Sequence, residues 1–315
     1  MLNIKSPPKV NICLFGPSGI GKTTQCRTLD PETTLFIDME AGDLAIQGWP
    51  GDRINVLAWA REAGVDPWIM VLAIASIIAG PDPSDIMVDP ESGQQSPGPY
   101  SQAAYDSYCS LIDPKLFDKY DTIFLDSITQ ASRWSFDWTR RNDRDAFSEK
   151  TGKPDTRGAY GAHGRGGVRW LSVLQHQSKR AGAGAKNIIM VGILDENKDD
   201  LGRTVYQPQI VGGTMGRELP GIFDEVLTLM DVHDQQAGIS GRAFICHKLN
   251  GYGVPAKDRS GRLSLYEPPD LGALVRKIQT AERNDGTIVT TLAPAPPEAQ
   301  KRFSTQPEAA ETQAA

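Results

Sequence analysis

The sequence predicts an α/β fold with a mainly parallel central sheet and helices on both faces. Short apolar runs alternate with longer helix-like segments along most of the chain, which is the pattern of repeated βαβ units. The first five apolar runs are continuous rather than alternating, as expected of parallel strands that are covered on both sides. With 315 residues and 39% apolar side chains, the chain can form one large α/β domain or two small ones.

The apolar runs are predicted to be strands, and the segments between them are predicted to be helices. The strands are expected at residues 10–15, 34–38, 54–57, 122–126, 187–193, 225–230 and 242–246, with the last ones added antiparallel. The helices are expected at residues 21–29, 60–79, 127–140 and 168–179. Residues 68–79 are the most apolar stretch, but they are too few to span a bilayer, so we predict a buried helix and no membrane partner.

Four regions interrupt this pattern. Residues 80–99 contain five prolines and are predicted to be an exposed insertion, and residues 141–167 contain six glycines and are predicted to be a long mobile loop. Residues 195–213 are polar and are predicted to form a hairpin or a loop. Residues 288–315 are rich in Ala, Pro, Glu, Gln and Thr and are predicted to be a disordered tail. The predicted core is then residues 10–287, preceded by a short N-terminal arm at 1–9.

Charge and cysteine content exclude some classes of function. The formal net charge of −6 excludes a strongly basic protein that coats nucleic acid, so any such contact requires a local basic patch. The four cysteines include no CxxC pair and no zinc-site spacing, which favours reduced thiols in a cytoplasmic protein. The first ten residues contain no long apolar stretch, so no signal peptide is expected.

The stretch from Gly16 to Thr23 matches the phosphate-binding motif GxxxxGK[ST] at every fixed position, with a predicted strand before it and a predicted helix after it. Glycines let backbone N–H groups turn toward a phosphate, and a helix start adds the positive end of its dipole. Lys22 is expected to bind the β- and γ-phosphates of ATP, Thr23 to coordinate Mg²⁺, and Thr24 to lie near the α-phosphate. The predicted nucleotide-binding residues are Gly16, Pro17, Ser18, Gly19, Ile20, Gly21, Lys22, Thr23 and Thr24.

Carboxylates for the metal and for water are predicted at the ends of two other strands. Asp126 ends the strand at 122–126, which places it beside the water shell of the metal, and the adjacent Ser127 is expected to position water or the γ-phosphate. Hydrolysis also requires a group that orients the attacking water. Glu40 follows the strand at 34–38 and is the candidate for that group, with Asp38 and Asp43 as nearby alternatives.

The order of these motifs resembles a known family. Two segments that follow the phosphate loop in the sequence are similar to the RecA-type ATPase core: FIDMEAG at 36–42 and LDSIT at 125–129. More narrowly, the chain resembles phage nucleotide-binding proteins with that core. Some members of that group are single-strand annealing or recombination ATPases. The resemblance covers roughly residues 8–280. It implies a RecA-like P-loop NTPase that uses ATP and Mg²⁺, with Glu40 as the catalytic acid and Asp126 with Ser127 as the Walker B pair.

A second resemblance concerns two late cations. The segment from Lys257 to Gly261 is similar to the KxRxG segment of hexameric DnaB-type helicases and is comparable in position to the bridging lysines of RecA filaments. In those groups the cations reach the γ-phosphate bound by a neighbouring subunit. The resemblance implies that Lys257 and Arg259 act in trans in a homo-oligomer, either a ring or a filament. The alternative is a solvated basic turn.

The RecA resemblance also implies that the loops at 141–167 and 195–213 face single-stranded DNA. The first loop combines arginines and an aromatic ring with glycines, a composition that suits single strands. The second loop is net acidic and is expected instead to sense the γ-phosphate through Asp195, Glu196 or Asn197. The alternative is a pair of solvated loops. The candidate DNA-binding residues are Arg141, Arg144, Arg157, Tyr160 and Arg165.

The function expected from the sequence is Mg²⁺-dependent ATP hydrolysis coupled to single-stranded DNA binding or annealing in phage recombination or replication, in the host cytoplasm. Two other classes stay open. A small-molecule P-loop kinase would use residues 141–167 as a lid over the phosphates. A nucleotide-gated binding module would hydrolyse ATP slowly and use the C-terminal tail to recruit a partner such as a single-strand DNA-binding protein.

Overall fold

The computed structural model of the chain describes residues 9–88, 92–178, 184–198, 200–202, 204–234 and 239–280. The predicted tail at 288–315 lies outside these residues, as does the predicted N-terminal arm apart from its last residue. Three residues of the predicted insertion, 89–91, also lie outside them.

The fold is built on one large mixed sheet. Its strands are β1 (Asn11–Gly16), β2 (Thr34–Asp38), β3 (Asp52–Asn55), β6 (Thr122–Asp126), β7 (Asn187–Lys198), β8 (Thr204–Pro208), β9 (Glu225–Asp234), β10 (Ile239–Ile245), β11 (Lys257–Asp258) and β12 (Tyr266–Glu267). A separate two-stranded ribbon consists of β4 (Ile86–Val88) and β5 (Gln95–Pro97). The order across the sheet is β12-β10-β9-β1-β7-β6-β2-β3, with β8 added to β7 and β11 added to β9.

The pairing of these strands confirms the predicted fold class. All pairs from β9 through β1, β7, β6 and β2 to β3 are parallel, whereas β10, β11 and β12 join antiparallel. Residues 195–213 were expected to be a hairpin or a loop, and β7 and β8 do form an antiparallel hairpin. The exposed insertion at 80–99 contains the β4–β5 ribbon, whose described residues are exposed in both strands.

The α-helices are α1 (Val56–Ala63), α2 (Pro67–Ala79), α3 (Gln102–Tyr108), α4 (Ile128–Asn142), α5 (Thr156–Ser178), α6 (Gly213–Ile222) and α7 (Leu271–Gln279). The predicted strand at 54–57 is wrong at its end, because the Asn55 side chain accepts a hydrogen bond from Ala58 N and starts α1 there. The predicted helix at 60–79 is two helices, because Gly64 adopts φ +67° and Asp66 caps a new helix that begins at Pro67.

Helices cover both faces of the sheet unequally. Alternate residues of β1 belong to two separate hydrophobic clusters, with Cys13 and Phe15 in one and Ile12 and Leu14 in the other. The first cluster contains side chains of α1 to α6, and the second contains those of α7 and of two short 3₁₀ helices at 23–28 and 43–46. The thinner second layer lies beside the glycine-rich loop that follows β1.

Among the described residues, no single helix has the length and apolar character needed to cross a membrane. The pair α1 and α2 meets the length and composition criteria together, but it is bent by 104° at the break between the two helices, and α2 is largely buried.

Candidate active site

The glycine-rich loop leaves β1 at the carboxyl edge of the sheet and folds around its own lysine. Lys22 Nζ donates hydrogen bonds to the backbone oxygens of Gly16 at 3.0 Å and Pro17 at 2.8 Å. Gly21 adopts φ +98°, which side chains rarely tolerate, and a β-carbon on Gly16 would lie 2.5 Å from Leu229 O. We refer to residues 16–24 as the cradle. Its glycines are needed both for the turn and for close approach to β9.

The helix after the cradle is shorter than predicted. Residues 21–29 were expected to form a helix, but the structure has a six-residue 3₁₀ helix at Thr23–Thr28. Its start cannot supply the dipole of a longer α-helix, so the anion-binding capacity rests on the backbone N–H groups and on Lys22. Burial lowers the pKa of Lys22, while the charges of Asp126 and Glu40 act in the opposite direction.

Asp126 lies beside the cradle at the end of β6. The Thr23 hydroxyl donates a hydrogen bond to Asp126 Oδ2 at 2.5 Å. Burial raises the pKa of Asp126 to about 7, and the charges of Glu40 and Asp38 add to this effect, whereas the Thr23 bond and Lys22 oppose it. A cation placed here would favour the ionised carboxylate.

The donor set at Thr23 and Asp126 fits Mg²⁺ bound together with phosphates. The described residues contain no group of three or more His, Cys, Asp or Glu side chains that could hold a metal alone. Mg²⁺ commonly takes one or two protein oxygens and completes its shell with water and phosphate oxygens. A hydroxyl and a carboxylate next to a glycine cradle match that requirement. Thr23 and Asp126 would therefore hold the ion, and the rest of its shell would come from the nucleotide.

Glu40 reaches the same place from β2. The Ser127 hydroxyl donates to Glu40 Oε1, and the Ser127 oxygen also accepts from Gln130 N at 3.2 Å, which caps α4. β2 and β6 are adjacent and parallel, with Asp38 opposite Asp126, so the carboxyl ends of both strands lie at one level. The structure thus brings Glu40, Ser127 and Asp126 together, as the sequence pattern requires.

The two alternatives to Glu40 occupy different positions. Asp38 is buried, and its Oδ1 accepts from Glu40 N at 3.0 Å and from Gly42 N at 3.3 Å. These bonds hold the turn that presents Glu40, in which Ala41 adopts φ +58°. Burial raises the pKa of Asp38 against the lowering effect of these N–H groups. Asp43 begins the 3₁₀ helix at 43–46. Asp38 therefore holds the turn in place, whereas Glu40 is exposed at the end of β2.

Lys257 and Arg259 lie away from the cradle of their own chain. Lys257 is opposite Val226, and Val226 is opposite Cys13, three residues before the end of β1. The level of Lys257 in the sheet is therefore about 10 Å, measured along β1, from Gly16 at the start of the cradle. Both cations contact the C-terminal end of α6. Lys257 Nζ donates to Pro220 O at 2.5 Å and to Phe223 O at 2.7 Å, and Arg259 contacts Asp224 at 2.9 Å and Gly221 O at 3.0 Å.

The predicted mobile loop at 141–167 is wrong for most of its length. Residues 156–167 belong to α5, and residues 144–146 form a 3₁₀ helix. Two of the glycines lie where the backbone packs closely on neighbouring atoms. A β-carbon on Gly158 would lie 1.8 Å from Asp145 O, and one on Gly167 would lie 2.6 Å from Met215 Sδ of α6.

The candidate DNA-binding side chains are therefore held on helices. Arg141 of α4 contacts Asp66 at 2.9 Å, and Arg165 of α5 contacts Asp145. The Tyr160 ring stacks on Phe136, with centroids 4.5 Å apart. Arg144 lies in the 3₁₀ helix at 144–146, and Arg157 lies in the first turn of α5.

Two further side chains lie near the cradle or near the end of β7, and no sequence motif points to either of them. Arg242 of β10 approaches the cradle at Gly21. Gln209, just after β8, accepts from Arg133 Nη2 of α4 at 2.9 Å and donates to Asp195 Oδ1 at 3.0 Å. Gln209 is 76 positions from Arg133 and 14 positions from Asp195 in the sequence. Only a three-dimensional structure identifies these contacts.

A family model described as an AAA domain matches residues 8–260, which is most of the chain. The matched range includes the cradle, the carboxylates at the ends of β2 and β6, and the segment with Lys257 and Arg259. No curated protein matches the sequence.

Proposed function

This chain belongs to the AAA domain family, and we propose that it hydrolyses Mg²⁺-ATP and couples hydrolysis to single-stranded DNA binding or annealing in phage recombination or replication. Nucleotide binding and ATPase activity follow from the family. The coupling to DNA and the phage process are the proposal. The observation that supports the hydrolysis part is the meeting of Lys22, Thr23, Asp126, Glu40 and Ser127 at one edge of the sheet.

The roles of these residues follow from their chemistry. Phosphate oxygens are stronger acceptors than the two backbone carbonyls that Lys22 contacts, so a nucleotide would draw Lys22 Nζ onto its β- and γ-phosphates. Thr23 and Asp126 would hold Mg²⁺, which when bound neutralises phosphate charge. Glu40 would accept a hydrogen bond from the attacking water and orient it, with Ser127 fixing the position of the Glu40 carboxylate.

The proposed DNA surface is where α4, α5 and the segment before α6 meet. His163 Nδ1 lies 2.9 Å from Ser135 Oγ of α4, and its Nε2 lies 2.8 Å from Val211 O. This buried histidine therefore joins the two segments that RecA-like proteins place beside DNA. The neighbouring Tyr160 ring is 43% exposed and stacked on Phe136, which offers a platform for a base.

One experiment tests the proposal: the rate of phosphate release with and without single-stranded DNA, for the wild type, Lys22→Ala and Tyr160→Ala. Lys22→Ala should abolish hydrolysis under both conditions. Tyr160→Ala should lose the stimulation by DNA while keeping the DNA-free rate, and Tyr160→Phe, which keeps the ring, should be stimulated like the wild type.

The outcomes separate the candidate functions. Hydrolysis with no stimulation at any DNA length would refute the DNA coupling and leave an ATPase of another purpose. Transfer of the phosphate to a second substrate, without release of free phosphate, would indicate a kinase. Nucleotide binding with negligible turnover, unaffected by DNA, would favour the nucleotide-gated binding module.

A further inference from the structure

The β9–β10 hairpin forms a wall beside the cradle. A β-carbon on Gly16 would lie 2.5 Å from Leu229 O, so β9 passes the start of the cradle at that residue. β9 continues to Asp234, five residues beyond Leu229. Five strand residues span about 17 Å, so the hairpin extends well past the carboxyl end of β1. Any nucleotide held by the cradle lies next to this extension.

Arg242 points from this hairpin toward the cradle. It lies directly opposite Asp231, and two residues later Phe244 belongs to the hydrophobic cluster that contains Cys26 of the 3₁₀ helix after the cradle. Because side chains two residues apart share a face of a strand, Arg242 lies on the face that carries the cradle. Its Nη1 lies 3.0 Å from where a β-carbon on Gly21 would be, and the Thr24 hydroxyl lies 3.9 Å from that same point.

The charge around the cradle is asymmetric. β6, which carries Asp126, lies two strands from β1 on one side. The strand beyond it is β2, and Glu40 follows β2 in the sequence. On the other side, also two strands away, β10 carries Arg242. The carboxylate side suits the metal and water, whereas a guanidinium suits phosphate oxygens, which it can bind through two parallel N–H groups.

The contacts that Arg242 makes within the chain are weak enough to exchange. Its Nε lies 3.7 Å from Asp231 Oδ1, and the two side chains are 45% and 72% exposed. An exposed ion pair at that distance contributes little to stability. The Arg242 guanidinium is thus available to a stronger anionic partner at the adjacent Thr24.

We propose that Arg242 binds the α-phosphate of nucleoside di- and triphosphates, from the side of the cradle opposite Asp126, and that Asp231 competes for its guanidinium. The proposal rests on the proposed function insofar as the cradle must bind a nucleotide. It adds a residue that the phosphate-loop motif does not contain, and a competing anion that sets the affinity.

The test is the affinity of the full chain for ADP and for a non-hydrolysable ATP analogue, measured by titration calorimetry. Arg242→Ala should weaken both roughly tenfold and equally, because both ligands contain the α-phosphate and a charge-assisted hydrogen bond is lost. Arg242→Lys should recover part of the loss. Arg61→Ala, an exposed arginine on α1, is the matched control and should bind like the wild type. The melting temperature of each nucleotide-free variant should stay within about 2 °C of the wild type, as expected for an exposed position.

A double-mutant cycle with Asp231→Asn isolates the competition. Asp231→Asn should tighten ADP binding in the wild type and have no effect in Arg242→Ala. If Asp231→Asn also raises the ADP affinity in the Arg242→Ala background, Asp231 acts only through its charge. That result would overturn the proposed competition for the guanidinium. Unchanged ADP affinity in Arg242→Ala would overturn the phosphate contact, and so would a loss confined to the ATP analogue.

A wild-type chain that binds neither ligand would refute the proposed function itself, whereas binding that is lost only in Lys22→Ala would refute this inference alone.

Discussion

Replacement of Glu225 by glutamine should remove one pH-dependent contribution from the free energy of unfolding. Glu225 begins β9 and is fully buried. Its carboxyl oxygens accept from Arg259 N at 3.2 Å and from Ser260 N at 3.1 Å. Burial raises the pKa of Glu225 to about 9, the adjacent Asp258 adds to this effect, and the two N–H groups oppose it. Glu225 therefore remains protonated in the folded chain near neutral pH, and it holds the segment that presents Lys257 and Arg259.

The sign and size of the effect follow from proton linkage. Between the ordinary glutamate pKa of 4.5 and the folded value of about 9, the folded chain holds a proton that the unfolded chain has released. The free energy of unfolding therefore falls as the pH rises through this window, by about 1.4 kcal/mol per pH unit. From pH 6 to pH 8 the contribution of Glu225 is a loss of roughly 2–3 kcal/mol. Glutamine keeps an acceptor for one N–H group and does not titrate.

The assay is urea unfolding of the wild type and Glu225→Gln at several values between pH 5 and pH 8. The stability difference between variant and wild type should grow in favour of the variant by about 2–3 kcal/mol between pH 6 and pH 8. Comparison of the two chains cancels groups that titrate in both. Glu218→Gln, at an exposed position on α6, controls for the loss of one carboxylate and should run parallel to the wild type. Parallel curves for the wild type and Glu225→Gln would show that Glu225 is ionised in the folded chain, and would refute the reasoning.

Three other changes test the site and the packing around it. Glu40→Gln should lower the rate of ATP hydrolysis by a factor of about 10²–10⁴ while ADP still binds in calorimetry, and an unchanged rate would remove Glu40 from the mechanism. Gly167→Val should destabilise the fold by about 1–3 kcal/mol in thermal unfolding, since its β-carbon would meet the sulfur of Met215, whereas Gly166→Ala, with open space around it, should not destabilise. Lys186→Met should cost about 1–3 kcal/mol, because buried Lys186 donates to two backbone carbonyls at 2.7 and 2.6 Å that methionine leaves without a donor.

The sequence predicts the parallel sheet and the position of the glycine-rich loop well because both depend on local patterns. A continuous apolar run predicts a strand covered on both faces, and the glycine-rich loop must follow such a strand to bind phosphate. Glycine content predicts less about α5. Glycine is enriched both in flexible loops and in helices that pack closely on a neighbour, so glycine content alone predicts a mobile loop where the structure has a helix with Gly158 and Gly167. Only the presence of Asp145 O and Met215 against those positions distinguishes the two cases.

The parts of the site that escape the sequence are those made by strand pairing across long separations. Gly21 and Arg242 are 221 positions apart and meet because β9 and β10 fold back along β1. No periodicity or motif encodes that proximity. The Ser127–Glu40 bond is similar in kind, but each partner lies at the end of a recognisable strand, and parallel strands bring their carboxyl ends to one edge. That rule makes the Ser127–Glu40 contact predictable from the sequence, but it says nothing about the proximity of Arg242 to Gly21.

The contacts of Arg259 within its own chain determine how the trans role implied by the sequence resemblance must be tested. Because Arg259 contacts Asp224 and Gly221 at the end of α6 in its own chain, a loss of ATPase activity in Arg259→Ala has two explanations, a damaged α6 or a missing cation at a neighbouring cradle. Mixing Arg259→Ala with Lys22→Ala separates them. If each site takes its cradle from one subunit and its arginine from the next, random assembly of equal amounts gives about one quarter of sites with both wild-type groups. Activity near that fraction requires the trans role, since neither chain alone contains a complete site. A purely cis role leaves every chain defective in one group, and the mixture then stays as inactive as its components.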